Sequence, residues 1–151
     1  GIVRAEGIAA GSGIEAGWGI AAGRGIEAGS GIEAGWGIKA GEGIKAGSGI
    51  EAGLDIKAGW GIEAGWGIKA GWGIEAGEGI KCQKTLSFKL RLFAGLCIWR
   101  LPTSKEMEVR CAKKEGGEVI HGNLIETGIK SLSGKKVTVT VGEETYTATI
   151  D

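Results

Sequence analysis

Histidine, cysteine and tryptophan have the most chemistry to offer in this sequence, and only tryptophan is regularly spaced. His121 is the one histidine. A lone imidazole in Ile-His-Gly-Asn needs a nucleophile or an orienting carboxylate beside it to serve as a general base. The alternation around it reads instead as a strand carrying an exposed or satisfied ring. Cys82, Cys97 and Cys111 complete four candidate zinc ligands with His121. Structural zinc sites draw ligands in pairs roughly two to four residues apart, whereas these spacings are 15, 14 and 10. No catalytic residue, metal or cofactor is therefore expected. Three cysteines without a CxxC pair read as free thiols in a reducing compartment. No phosphate loop is credible either, because no GKS or GKT follows the glycines; Gly134-Lys135-Lys136 reads as a turn before a strand.

Trp18, Trp36, Leu54 and Trp72 stand eighteen residues apart, and Trp60 and Trp66 fall close to the last of them. That spacing belongs to a repeat. Ile recurs at fourteen positions six apart, from Ile2 to Ile80, in units of Gly-Ile-(Glu/Lys/Ala)-Ala-Gly-X. Of 32 glycines in 151 residues, 25 lie in residues 1–81. A period of six fits neither the 3.6-residue helix nor collagen, whose glycines recur every third residue. It fits a short strand and a tight turn, repeated as a β-solenoid. The X column sets the coil. Ser12, Ser30 and Ser48 are eighteen apart, as are Glu6, Arg24, Glu42, Trp60 and Glu78. Three units then close one triangular coil, with Ile and Ala inward and X at the outward corners. The residues after Ile align in columns too, and Glu27, Lys45, Glu63 and Lys81 alternate in sign, so neighbouring rungs would pair opposite charges.

Residues 2–81 resemble the hexapeptide-repeat family of left-handed parallel β-helices, through the period of six, the aliphatic position and the eighteen-residue coil. Handedness is implied by that resemblance alone. The family usually carries a small residue two positions before the aliphatic one, where this chain has X. Its enzymes are mostly acyltransferases with a histidine base, or zinc-dependent carbonic anhydrases with three histidines. Here the single His121 lies outside the repeat and no excursion interrupts the fourteen units, so the resemblance does not imply catalysis. The repeat contains no Thr, against the threonine arrays of solenoid antifreeze proteins.

Residues 82–151 follow another grammar. Leu86, Phe88, Leu90 and Leu92 alternate with Ser87, Lys89 and Arg91, which predicts a strand with those four on one face. Leu96–Leu101 is apolar and fits either a continued strand or helical spacing. Met107, Val109 and Cys111 alternate again, Lys114-Glu115-Gly116-Gly117 reads as a turn, and Val119–Ile125 as a return strand with a bulge at Gly122. Val137, Val139 and Val141 precede a turn at Gly142-Glu143-Glu144 and a strand from Thr145. The expectation is an all-β protein: a triangular parallel solenoid over 1–81, capped by a small, mainly antiparallel β domain over 82–151. Nothing in residues 1–6 looks like a cap for the other end.

Eighteen basic and eighteen acidic residues balance, against a charge-driven nucleic-acid binder or a highly charged disordered chain. No apolar run approaches the ~20 residues of a membrane span. The opening Gly-Ile-Val-Arg lacks the apolar core of a signal peptide, and with the free thiols this predicts a cytoplasmic protein. Arg91, Arg100, Lys105, Arg110, Lys113 and Lys114 form a secondary basic set, read as a solvated sheet face before a nucleic-acid contact. Two readings of the Trp set stay open. The rings shield backbone at the glycine corners, or Trp18, Trp36, Leu54, Trp60, Trp66 and Trp72 form a protein-binding surface. Short Gly-Ile solenoids joined to a small β domain loosely resemble products of phages and mobile elements. That resemblance implies an inhibitor docked on a host defence enzyme, such as a nuclease complex in the bacterial cytoplasm, as anti-CRISPR proteins do. A self-assembling protein joined through solenoid ends comes next, then a carbohydrate-binding module on the Trp edge.

Overall fold

The structure, a computed structural model of the chain, describes residues 1–97, 100–128, 136–141 and 144–149. Each six-residue unit makes one three-residue strand. The first coil holds β1 (Val3–Ala5), β2 (Ile8–Ala10) and β3 (Ile14–Ala16). The second holds β4 (Ile20–Ala22), β5 (Ile26–Ala28) and β6 (Ile32–Ala34), and the third β7 (Ile38–Ala40), β8 (Ile44–Ala46) and β9 (Ile50–Ala52). Next come β10 (Ile56–Ala58), β11 (Ile62–Ala64), β12 (Ile68–Ala70), β13 (Ile74–Ala76) and β14 (Ile80–Cys82). From β2 to β14 each strand pairs in parallel with the one eighteen residues away, Ile on Ile and, except at Cys82, Ala on Ala, as at Ile38↔Ile56 and Ala40↔Ala58. Three flat faces result. The first carries β1, β4 and their successors, the second β2, β5 and theirs, the third β3, β6 and theirs.

Alternation within each strand sends Ile and Ala inward and the middle residue out. From Ile20 to Ile80 every repeat Ile is at most 1 % exposed. No polar or charged side chain is buried among the described residues. Between faces, the amide of each corner residue donates to the carbonyl of its counterpart one coil earlier, as from Ser48 to Ser30 at 3.1 Å. The two glycines of the unit differ in their reasons. A Cβ on Gly71, after Ala, would overlap the carbonyl oxygen of Gly53; one on Gly49, before Ile, would sit 3.5 Å from the nearest atom, the carbonyl of Gly67. Asp55, the one departure in the inner units, falls in the tolerant slot, where its Oδ1 accepts from the Gly73 amide at 3.0 Å.

Ile2 is an exception to the stack. It is 47 % exposed, and Val3 pairs with Ile20 in its place. Arg4 stands where the unit has Ala, and an inward arginine would be a buried, unpaired charge. A one-residue slip turns Arg4 out and puts Val3 inward.

All-β architecture and the eighteen-residue coil are as the sequence predicts, but parallel pairing does not stop at residue 81. β15 (Thr85–Ala94), β16 (Glu108–Cys111), β17 (Lys113–His121) and β18 (Asn123–Glu126) extend the solenoid, so the second face is seven strands deep. β16 lies parallel on β14, β18 on β16, and β17 on β15. Antiparallel pairing, expected for most of this region, is found between β19 (Lys136–Val141) and β20 (Glu144–Thr149). Apolar alternation is common to both kinds of strand and does not name the partner. The turn expected at Gly142-Glu143 lies partly outside the described residues.

β15 serves two faces. Leu86 stacks on Ile68 and Leu92 on Ile74. It rounds a corner between them, so Leu90, expected beside Leu86 and Phe88, is 55 % exposed. β17 does the same, and the turn expected at Gly116 is its corner, at φ 74°. Gly122, at φ 126°, separates β17 from β18 rather than bulging a single strand. Gly95, at φ 77°, ends β15. An excursion follows, so Ile80 meets Val109, 29 residues on instead of 18. Ile98 and Trp99, in the Leu96–Leu101 stretch, lie outside the described residues. No helix long and apolar enough to cross a membrane occurs among the described residues.

Candidate functional site

The corner residues are placed by the backbone ladder. One column runs through Trp18, Trp36, Leu54, Trp72 and Leu90, each amide donating to the carbonyl before it at 2.6 to 3.1 Å. Their side chains therefore stand about 4.8 Å apart along one edge of the prism. Trp18, Trp36, Trp72 and Leu90 are 52, 54, 52 and 55 % exposed, and Leu54 is half-buried. Trp18 and Trp36 stack with ring centroids 5.0 Å apart and planes 16° from parallel. Sequence reasoning missed Leu90, although it lies eighteen residues after Trp72; the alternation of its neighbours masked it.

Trp60 and Trp66 do not widen this edge. Trp60 follows Glu42 on the corner between the first and second faces, and Trp66 follows Ser48 on the corner between the second and third. Each is well exposed, and each is the large aromatic of its own edge. Trp60 overlooks a shallow groove on the second face, floored by the Glu27, Lys45, Glu63 and Lys81 ladder.

Charge divides across the Trp edge. On the first face beside it stand Arg4, Lys39 and Lys57; on the third face stand Glu15, Glu33 and Glu51. Toward the last coils the signs reverse, with Glu75 on the first face and Lys69 on the third. Lys57 pairs with Glu75 at 3.4 Å and Lys69 with Glu51 at 2.6 Å. The Glu51 bond, then its charge, raises the Lys69 pKa.

Most of the predicted basic set is engaged locally. Both terminal nitrogens of Arg100 donate to Glu106, at 2.8 and 2.7 Å. The Thr103 amide donates to the same carboxylate at 2.7 Å. The Arg100 bonds and then the Thr103 amide hold the Glu106 pKa down to about 2. Arg110 pairs with Glu108 and Lys113 with Glu115. Lys114 turns its ammonium over the Phe88 ring, 5.5 Å from the centroid, and donates to the carbonyls of Gly116 and Gly117. Arg91 and Lys105 are exposed.

The chemistry-bearing residues are scattered. His121 donates from Nδ1 to the Ala94 carbonyl at 2.6 Å. Cys82 and Cys111 replace the inward Ala on successive rungs of the second face, and burial pushes the Cys82 thiol up to about 11 and that of Cys111 upward. Among the described residues no three His, Cys, Asp or Glu side chains gather as for a metal. Comparison with models of known protein families, with curated proteins and with solved structures finds no match in any of the three.

Proposed function

We propose that this chain is a rigid, non-catalytic docking protein that binds a partner protein through the edge formed by Trp18, Trp36, Leu54, Trp72 and Leu90. One observation carries the reading. Five consecutive coils each place one large apolar side chain on the same edge, Trp18, Trp36, Trp72 and Leu90 exposed and Leu54 half-buried. Tryptophan truncation at a binding hot spot typically costs ~2 kcal/mol or more. A scaffold already ordered by its backbone ladder loses little entropy on binding. Opposite charges on the flanking faces form a polar rim that would orient the partner. A sugar-binding reading is weaker, because Trp18 and Trp36 each give a ring face to the other. The narrower reading, an inhibitor of a bacterial defence enzyme such as a nuclease complex, rests on the loose likeness to phage and mobile-element proteins.

The test uses immobilised protein in bacterial lysate beside the triple variant Trp18→Ala, Trp36→Ala, Trp72→Ala, both checked for fold by circular dichroism. A partner of fixed stoichiometry, held by the intact edge and lost from the variant, is expected. Equal capture by both proteins would remove the edge as the binding surface.

A further inference from the structure

We propose that the second face of the solenoid packs on the second face of another copy of this chain, about a two-fold axis that runs along the strands between Lys45 and Glu63. Lys45 of each copy then meets Glu63 of the other, and Glu27 meets Lys81. The inference concerns a different surface from the Trp edge and stands whether or not that edge binds a partner.

Two features of this face find no partner within the chain. Its outward column, Glu27, Lys45, Glu63 and Lys81, is exposed and alternates in sign from rung to rung. Among the described residues, none of these four side chains closes an ion pair. On the other two faces Lys57–Glu75 and Lys69–Glu51 do close, at 3.4 and 2.6 Å. The second feature is aromatic. Trp60 and Trp66 are 53 and 67 % exposed, stand at the two corners that bound the face, and both flank the Glu63 rung. Neither belongs to the edge through Trp18 and Trp72. Exposed tryptophans bracketing a shallow groove mark a contact surface.

Charge selects the occupant and the arrangement. A closed pair of identical chains uses the same patch on both, so the patch must complement itself. A two-fold along the solenoid axis sets every charge of the column against its like. A two-fold along the strands reverses the order of the rungs instead. Centred on a rung, it sets that rung's charge against itself. Centred between Glu63 and Lys81, it sets Lys45 against Arg110; centred between Glu27 and Lys45, it leaves Glu63 opposite Ala9. Centred between Lys45 and Glu63, it gives four facing pairs, all attractive. The corners agree, since Arg24 then meets Glu78 and Ser30 meets Lys84. Ala9, the one small residue of the column, faces the Arg110 rung, where Thr103 and Lys105 wall the groove. The third face lacks this symmetry: the same operation at its sign change sets Glu15 against Glu115. Packed sheets stand about 10 Å apart, a span that a lysine and a glutamate reaching toward each other fill. The axis leaves beside Trp60 at one corner and Trp66 at the other, which brings each ring to its mate. The Trp18–Trp72 edge is the corner opposite this face, so the pair displays two such edges pointing away from each other.

Sedimentation velocity tests this, up to about 200 µM because small interfaces associate weakly. The wild type is expected to follow a monomer–dimer equilibrium. Lys45→Glu and Glu63→Lys each turn two attractions into two repulsions and should each weaken dimerisation about tenfold or more. The double variant Trp60→Ala/Trp66→Ala should weaken it by at least as much. An equimolar mixture of Lys45→Glu and Glu63→Lys should form a heterodimer, since every facing pair is then attractive. This mixture is a decisive arm, because two misfolded chains would not pair in a 1:1 complex. A mixture of Lys45→Glu with Glu27→Lys carries the same charges but leaves two repulsions in the proposed register, and should not pair. A wild type that stays monomeric, a dimer unaffected by the reversals or by loss of the two tryptophans, a first mixture that stays apart, or a second that pairs equally well would each overturn the proposal. A monomer that still captures a partner through the Trp edge would overturn it and leave the docking function standing.

Discussion

At the first coil Val3, Ile8 and Ile14 form the outermost layer of the core, and no strand among the described residues lies beyond them. At the other end the corresponding slots are filled differently. Lys114 takes an Ile position, in register with Leu86, and Phe88 takes the Ala position, in register with Ala70. Phe88 is 1 % exposed and fills the space that small alanines leave between the three faces. Gly117 lies so close to the Phe88 ring that any Cβ there would overlap it. The Lys114 ammonium closes over the ring and is itself satisfied by two carbonyls. A repeat of identical units has no means of stopping, because every coil offers the next one the same edge. Stopping takes larger side chains inside, glycines that bend the strand, and charges along the rim. The last coils have all three, and the first coil has none of the first two.

Removing the plug is the most direct way to break this comparison. Phe88→Ala should cost ~3–5 kcal/mol, the range for a buried phenylalanine that leaves a cavity. That corresponds to a fall in Tm of about 10 °C for a chain of this size. Ile8→Ala in the first coil should cost about 1–2 kcal/mol, since its side chain is only partly buried. Thermal unfolding followed by circular dichroism at low protein concentration gives both values. Equal losses would mean that Phe88 closes nothing.

A second pair of variants tests the same contrast through the backbone. Gly11 and Gly71 hold the same place in the unit, after Ala. A Cβ on Gly11 would meet nothing within 4 Å among the described residues; one on Gly71 would run into the carbonyl of Gly53. Gly71→Ala should therefore cost roughly 2–3 kcal/mol, as a buried overlap does. Gly11→Ala should stay within ~0.5 kcal/mol of wild type. Similar costs at both positions would trace the conservation of glycine within the unit to something other than coil-to-coil contact.

Both ends were partly legible in the residue pattern. The eighteen-residue sort of the X column gave the coil, because corner residues are exposed and free to vary in type while Ile and Ala are not. Carried past Trp72, the same sort reaches Leu90, and carried past Ala70 it reaches Phe88. Alternation over Leu86–Leu92 hid both, since period two describes a strand without saying where it turns. It also cannot tell a parallel neighbour from an antiparallel one, so β15 to β18 read as a separate kind of sheet. The slip at β1 had a signal in Arg4, a charge in an inward slot. Trp60 and Trp66 sat close to Trp72 in sequence and shared no edge with it, because six residues round a corner is a change of face. The charge division across the Trp edge emerges only when the outward columns of two faces are set side by side.

The smallest effect lies in the excursion beside the last coils, and it separates local order from the rest of the solenoid. Glu106 binds Arg100 and the Thr103 amide, and its folded pKa is lowered from 4.5 to about 2. A depressed carboxylate contributes order that is fully present above its ordinary value and lost as pH falls through the folded one. The 100–106 segment should therefore stay fixed at pH 5 and above and loosen as pH falls from about 4.5 toward 2. The pair is exposed, so salt should screen part of the effect. Titration of the Glu106 carboxyl carbon and the Thr103 amide by NMR reads this directly. Amides of β1 to β3 should not follow the same transition, because nothing at the first coil is tied to that carboxylate. A Glu106 midpoint near 4.5 would show that Arg100 does not hold it in solution. A shared transition at both ends would show instead that the solenoid unfolds as one unit before its loop does.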